Sequence, residues 1–303
     1  MEYKTHAPVL VEEIVQALEG RKIAIFVDAT LGAGGHAKRI LEAHPEIVRY
    51  IGIDADPEAI QLATENLSSW KKKVQIVHRN FEDVNDVLKE VGVEAIDGAL
   101  FDLGVSSMQL DIGRRGFSFL QEGPLDMRMN PLQELDAKKI VNTWSEKELG
   151  ELFREYGEDP RWRAAAKIIV EERKKGALTT TKQLAELLCH TLKTKIRGKL
   201  HPATLVFQAL RMGVNRELEV VERAMKEILP KLSSQGVLAV ISFHRLEDRI
   251  VKHVFKEATK RLKGCDVAPL FKLLVKKPLV PTLREVRMNP RARSAKLRLM
   301  ERS

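Results

Sequence analysis

The chain has 303 residues and a mass of 34.3 kDa, with 44% hydrophobic and 31% charged residues, which is the composition of a globular protein with a sizeable core. Its longest apolar runs, such as Gly236–Phe243, fall well short of the roughly 20 residues needed to cross a bilayer, so membrane spans are excluded. Fifty-one Lys and Arg against 42 Asp and Glu give a formal charge of +9 and an isoelectric point near 9.4, which favours a polyanionic partner without requiring one.

Met1–Leu10 has no cationic stretch leading into an apolar one, so no secretory signal is expected. Cys189 and Cys265 lie far apart, form no CxxC pair and suit a reducing cytosol, so the expected location is cytoplasmic. Ile23–Val27 reads as a first strand, and the residues after Gly35 as a helix. Arg49–Ile53 predicts a second strand. Pro57 to about Leu67 predicts a helix opening on proline, whose missing N–H would be unpaired there anyway. A strand at Val74–His78, a helix over Asp83–Val91 and a strand at Ile96–Phe101 continue the alternation. Such alternation predicts a parallel sheet covered on both faces, a Rossmann-like, doubly wound α/β fold.

From about Ser106 to Gly213 no strand-like run occurs. Ser145 with Glu148, and Thr180 with Gln183, form capping boxes ahead of helix-period patterns. Trp162, Ala165, Ala166, Ile169 and Val170 share one helical face, which reads as core rather than ligand contact. A helix near Arg216–Leu232 and a buried strand at Gly236–Phe243 resume the α/β pattern; Phe271–Val275 and Lys296–Met300 predict two last strands. So many consecutive helices exceed one crossover. The expected organisation is a discontinuous α/β domain, residues 1–105 and 215–303, interrupted by an all-helical domain, residues 106–214.

The turn after the first strand reads Asp28-Ala-Thr-Leu-Gly32-Ala-Gly34-Gly35-His36. Glycines let the backbone approach a ligand, and the helix that follows presents free N–H groups. Asp54 ends the second strand, where a carboxylate meets a ribose diol, and Asp102 ends the fourth. Two cofactors fit this pattern. Gly32-x-Gly34-x-x-Ala37 satisfies the dinucleotide pattern, so NAD remains open. S-adenosylmethionine is favoured, because Asp28 and Asp102 complement its positive charge and would repel a pyrophosphate. His6, His36, His201 and His244 form no i,i+4 pair and read as hydrogen-bonded structural histidines, so no metal site is expected. Neither a phosphate loop nor a nucleophile elbow is present.

Longer motifs go beyond spacing: Phe101-Asp-Leu-Gly-Val-Ser-Ser-Met-Gln109-Leu-Asp111, Arg115-Gly-Phe-Ser-Phe119 and Gly123-Pro-Leu-Asp-Met-Arg128. His6-Ala-Pro-Val-Leu10, His201-Pro-Ala-Thr, Phe207-Gln-Ala-Leu-Arg211, Ile241-Ser-Phe-His-Arg-Leu-Glu-Asp248 and Asn289-Pro-Arg-Ala-Arg-Ser-Ala-Lys-Leu-Arg298 extend the set. On these residues, from 6 to 298, the chain resembles the bacterial ribosomal RNA small subunit methyltransferase H family, also called MraW. The resemblance implies transfer of a methyl group from S-adenosyl-L-methionine to the exocyclic N4 amine of a cytidine, 1402 in RNA numbering, in the decoding region of 16S rRNA. It implies that Gly34, Gly35 and His36 hold the methionine end of the cofactor, Asp54 the ribose and Phe81 the adenine, with Asp102 and Gln109 also in contact. The implied partner is 16S rRNA or the small ribosomal subunit.

The N4 amine of cytosine is a poor nucleophile, since its lone pair is delocalised into the ring. Acceptors on its protons, and alignment in a shaped pocket, must restore that pair to nitrogen. Asp102, with the carbonyls of Leu103 and Gly104, stands where amino-methyltransferases place such acceptors, so it is either the catalytic residue or a cofactor contact alone. The aromatic residue that usually follows is missing, and Phe117, Phe119 or Phe243 would replace it. The base must leave its stack to react. Lys193–Lys199 and Arg291–Arg302 are the candidate phosphate contacts, with Arg291, Arg293 and Arg298 foremost. Two rivals remain: a nicotinamide oxidoreductase using the Gly32–Ala37 turn, and an RNA-binding assembly factor with a vestigial pocket.

Overall fold

The computed structural model describes residues 8–192, 201–261 and 268–303. His6, Cys265 and the cluster at Lys193–Lys199 lie outside the described residues. The chain divides into two compact units, Met1–Gly104 with Leu218–Ser303, and Val105–Glu217. These edges fall within three residues of those expected at 105/106 and 214/215. The second moves outward because Arg211 forms a two-pronged ion pair with Glu217, at 2.8 and 2.9 Å, which ties Glu217 to the helical unit.

The first unit carries strands β1 (Ile25–Asp28), β2 (Arg49–Asp54), β3 (Val74–His78), β4 (Ile96–Asp102), β5 (Leu232–Ser242), β6 (Phe271–Leu273) and β7 (Lys296–Arg302). They form one sheet in the order β3-β2-β1-β4-β5-β7-β6. The pairs from β3 to β5 are parallel, and β7 runs antiparallel to β5 and β6. Helices, numbered along the whole chain, are here α1 (Val11–Leu18), α2 (Gly35–Ala43), α3 (Pro57–Asn66) and α4 (Val84–Glu90), then α11 (Glu217–Ile228), α12 (Arg245–Ala258) and α13 (Leu283–Met288).

Alternation along each strand builds two apolar layers, because successive side chains point to opposite faces. Val27, Ile51, Ile53, Ala99, Phe101, Leu238 and Val240 pack with α4, α11 and α12. Phe26, Tyr50, Leu100, Ala239 and Ile241 pack with α1 and α2. Phe26 and Tyr50, paired in register, stack with ring centroids 5.3 Å apart. The sheet order reverses direction between β1 and β4, and open α/β sheets bind ligands outside the carboxyl ends at such a point.

Local details differ from the pattern-based reading. β1 starts at Ile25 rather than Ile23, because the N–H groups of Ala24 and Ile25 donate to the Asp97 carboxylate. β5 begins at Leu232 rather than Gly236: Gln235, with φ 66°, lies within the strand where the β4–β5 register shifts, and pairing resumes at Val237. α1, α12 and α13 have no counterpart in the pattern-based reading.

The second unit is helical: α5 (Ser107–Asp111), α6 (Ala137–Thr143), α7 (Glu146–Glu155), α8 (Trp162–Glu172), α9 (Thr181–Leu192) and α10 (Thr204–Asn215). Both expected capping boxes form, ahead of α7 and α9. Ala165, Ala166 and Ile169 of α8 enter the core with Leu149, Phe153 and Leu188, while the Trp162 ring lies under the Arg163 guanidinium, 4.0 Å from its centroid. The glycine-rich loop ahead of α6 folds back on itself. Gly116 has φ 72°, and a Cβ there would stand 2.1 Å from the Pro124 carbonyl oxygen. Arg115 donates to the carbonyls of Arg128 and Met129, and Asn215 of α10 bonds the backbone of Met127 and Met129.

Candidate active site

Three of the parallel strands end on a carboxylate: β1 on Asp28, β2 on Asp54 and β4 on Asp102. Thr30 ties two of these ends together, since its N–H donates to Asp28 and its hydroxyl oxygen accepts from the Asp102 N–H at 2.6 Å. Asp28 is 1% exposed and accepts a hydrogen bond from the Tyr50 hydroxyl at 3.0 Å. Burial pushes its carboxyl up to about 6, against the hydrogen bonds from Tyr50 and the Thr30 N–H. Asp28 therefore acts as an inward brace of the turn rather than a surface charge.

The chain then turns through Gly32 and Gly34, with φ 55° and 83°, into α2. At Gly34 the left-handed conformation favours glycine, and a Cβ would press on the Leu67 side chain at 3.0 Å. No side chain caps α2, which leaves its first-turn N–H groups facing out of the turn. His36, buried in that turn, donates from Nε2 to the Val9 carbonyl at 2.9 Å; a carbonyl only accepts, so the neutral ring presents an unprotonated Nδ1. That Nδ1 lies 3.7 Å from Asp102 Oδ2, and burial holds the His36 pKa below its ordinary value.

Asp54 accepts from the N–H groups of Gly32 at 2.7 Å and Asp56 at 2.8 Å, one on each oxygen, which fixes the carboxylate against the glycine turn. Burial pushes it up to about 6, and those same N–H donors hold it back. Carboxylate oxygens carry two lone pairs each, so acceptor capacity for a diol remains. Phe81 opens a short helical turn after β3, half-buried and edge-on to Phe101 at 5.8 Å.

Asp102 is the least satisfied of the three. Its Oδ1 is buried with no hydrogen-bond partner among the described residues. Burial, and then the nearby charge of Glu247, push its carboxyl up to about 7. A buried oxygen left unpaired costs about 1–3 kcal/mol, and such an atom marks a place for a donor or a cation. Beside it Gly104, with φ 96°, carries the chain past Phe243: a Cβ on Gly104 would lie 3.8 Å from the Phe243 ring. Glu247, 1% exposed, accepts from the N–H groups of Phe243 at 3.0 Å and His244 at 3.4 Å and so fixes the turn that holds this ring. Tyr50 and Glu247 escaped the sequence reading; Glu247 is the third residue of a capping box opened by His244, an uncommon cap.

The other expected residues are placed as follows. Gln109 lies in the helical unit, the third residue of a capping box in which its side chain accepts from the Ser106 N–H. Phe117 is buried in that unit, and Phe119 stacks on His201 at 4.4 Å and meets Phe207 edge-on. Arg293 is exposed and Arg291 half-buried. Arg298 does not stand free: its Nε donates to Asp248 at 2.7 Å, alongside Lys296 at 3.0 Å.

The family model of the MraW methylases matches residues 3–303. The chain belongs to the MraW methylase family. The ribosomal RNA small subunit methyltransferase H of Protochlamydia amoebophila is 48% identical over 98% of this chain and 96% of its own. The protein of that name from Clostridium botulinum is 40% identical over 99% of both. An rRNA methylase structure from Streptococcus thermophilus aligns with a TM-score of 0.44 at 12% identity, covering 99% of both chains. As an MraW methylase the chain uses S-adenosyl-L-methionine. The residues present fit it, since its positive charge answers the unpartnered Asp102 oxygen, and the uncapped start of α2 offers N–H groups to its carboxylate.

Proposed function

We propose that the chain methylates the exocyclic N4 amine of a cytidine in the decoding region of 16S rRNA, in the cytoplasm, on rRNA or the small subunit. The buried, unpaired Oδ1 of Asp102 carries this reading, because an oxygen in that state at a ligand-binding strand end calls for a cationic ligand with acidic protons nearby. Bound S-adenosylmethionine supplies an electrophilic methyl group on sulfur. Gly34, Gly35 and His36 receive its methionine end at the start of α2, Asp54 its ribose and Phe81 its adenine. Asp102, with the carbonyl oxygens of Leu103 and Gly104, accepts the N4 protons and returns the lone pair to nitrogen. A carboxyl near 7 suits a group that must be ionised before transfer and take up one proton during it. Phe243, next to Gly104, is the ring on which the extruded cytosine stacks, since Phe117 and Phe119 are engaged in the core of the helical unit. The helical unit serves rRNA recognition.

The dinucleotide reading fares worse, because the unpaired Asp102 carboxylate would face a pyrophosphate. Calorimetry separates the two: S-adenosylmethionine binds at micromolar concentration and NADH gives no heat. Heat from NADH, with none from S-adenosylmethionine, overturns the proposal.

A further inference from the structure

Between β6 and the middle of β7 the sequence is one-sided. From Lys272 to Met300 it carries nine Lys and Arg and a single acid, Glu285. That acid is turned inward: Glu285 Oε1 accepts from the Leu10 N–H at 2.8 Å, across 275 residues of sequence. The segment is also fastened to the sheet. The Leu274 N–H donates to the Leu299 carbonyl, and Leu279 and Leu297 exchange backbone hydrogen bonds at 2.9 Å. It is thus a fixed surface of the first unit. Through Leu10, its neighbour Val9 and the Val9–His36 bond, it is anchored to the glycine turn itself.

Three of the nine cations are already committed, Lys296 and Arg298 to Asp248, and Lys272 to Glu301. Lys276, Lys277, Arg284, Arg287 and Arg293 are exposed and make no ion pair among the described residues. Val280 (59%), Leu283 (79%) and Met288 (75%) are exposed among them. Cations without acids, interleaved with bare apolar side chains, match a polyanion that also offers flat apolar rings.

We propose that the surface formed by Lys276, Lys277, Arg284 and Arg287, continued by Arg293, is where the first unit grips the phosphate backbone of the substrate rRNA. The inference rests on the reading above and names the substrate contact of the same unit. It moves that contact away from Arg298, whose guanidinium is held on Asp248. Each phosphate neutralised releases counterions, so the surface sets the salt dependence of binding.

The test measures affinity for small ribosomal subunits from about 50 to 200 mM salt. It compares wild type, a quadruple variant (Lys276→Ala, Lys277→Ala, Arg284→Ala, Arg287→Ala) and Arg298→Ala. S-adenosylmethionine binding is measured on the same samples. The quadruple variant should bind the cofactor as wild type does, and its slope of log affinity against log salt should shrink by about three. Arg298→Ala should keep the wild-type slope. An unchanged slope in the quadruple variant overturns the inference. So does a loss confined to phosphatidylserine vesicles with subunit binding intact, which would assign the surface to a membrane. Failure of wild type to bind S-adenosylmethionine would instead count against the proposed function, whatever the slopes.

Discussion

Replacing Asp102 by asparagine removes one charge at nearly constant shape, and its consequence follows from the site. Burial, and then the charge of Glu247, push the carboxyl up to about 7 from an ordinary value of 3.8. A cationic cofactor requires the ionised form, so below about pH 7 binding must expel a proton, and affinity falls about tenfold per pH unit. A charge-assisted hydrogen bond contributes about 1.5–3 kcal/mol, so Asp102→Asn should weaken S-adenosylmethionine about 10- to 150-fold at pH 8. It should also abolish the pH dependence between about 6 and 7.5. The fall that Asp54 produces, below about 6, should remain. The cofactor-free protein gives the opposite sign. Between 3.8 and about 7 the folded chain holds a proton on Asp102 that the unfolded chain has lost, so this contribution to stability declines as pH rises. Without cofactor, Asp102→Asn should therefore melt above wild type at pH 8 and lose that advantage near pH 4. Calorimetric titration and thermal melts from pH 5 to 8.5 measure both effects. An affinity flat across pH 6–7.5 in the wild type, or equal affinities of the two proteins at pH 8, refutes the reasoning.

Asp54→Ala should chiefly weaken cofactor binding and leave turnover at saturating cofactor nearly intact, whereas Asp102→Ala should lower turnover as well; steady-state kinetics at varied cofactor separates them. Phe243→Ala should leave S-adenosylmethionine affinity unchanged and cost about 1–3 kcal/mol in kcat/KM for the rRNA, the scale of one base–aromatic stack. Gly34→Ala should cost about 1–2 kcal/mol in stability from its left-handed conformation, read from thermal melts, and the Leu67 side chain, 3.0 Å from the new Cβ, must shift to admit it. Asn215→Ala should lower the melting temperature of the protein, because the Met129 N–H and Met127 carbonyl lose their partner; an unchanged melt would show that water replaces it.

The α/β framework was legible because β1, β2 and β4 are apolar runs ending on Asp28, Asp54 and Asp102, with a glycine turn after the first, and both features act locally. Spacing placed the acids but not their states. That Asp28 is braced by Tyr50 while Asp102 Oδ1 lacks a partner depends on contacts across strands that pairing alone brings together. The choice among Phe117, Phe119 and Phe243 was open for the same reason; only packing shows Phe117 buried in the helical unit and Phe119 held against its core by His201 and Phe207. Arg298 illustrates the converse. In sequence it belongs to a basic run, yet β7 aligns it with Asp248 of α12, fifty residues away. α13 was illegible because it is only six residues long, and its Glu285 reaches the backbone of Leu10, distant in sequence.

The most direct measurement follows the methyl group to its destination. Small subunits lacking the modification are incubated with the protein and methyl-labelled S-adenosylmethionine, and the rRNA is digested to nucleosides for mass spectrometry. Label recovered as N4-methylcytidine is the predicted result. Label on carbon 5 of cytidine, or none in the rRNA, contradicts the account.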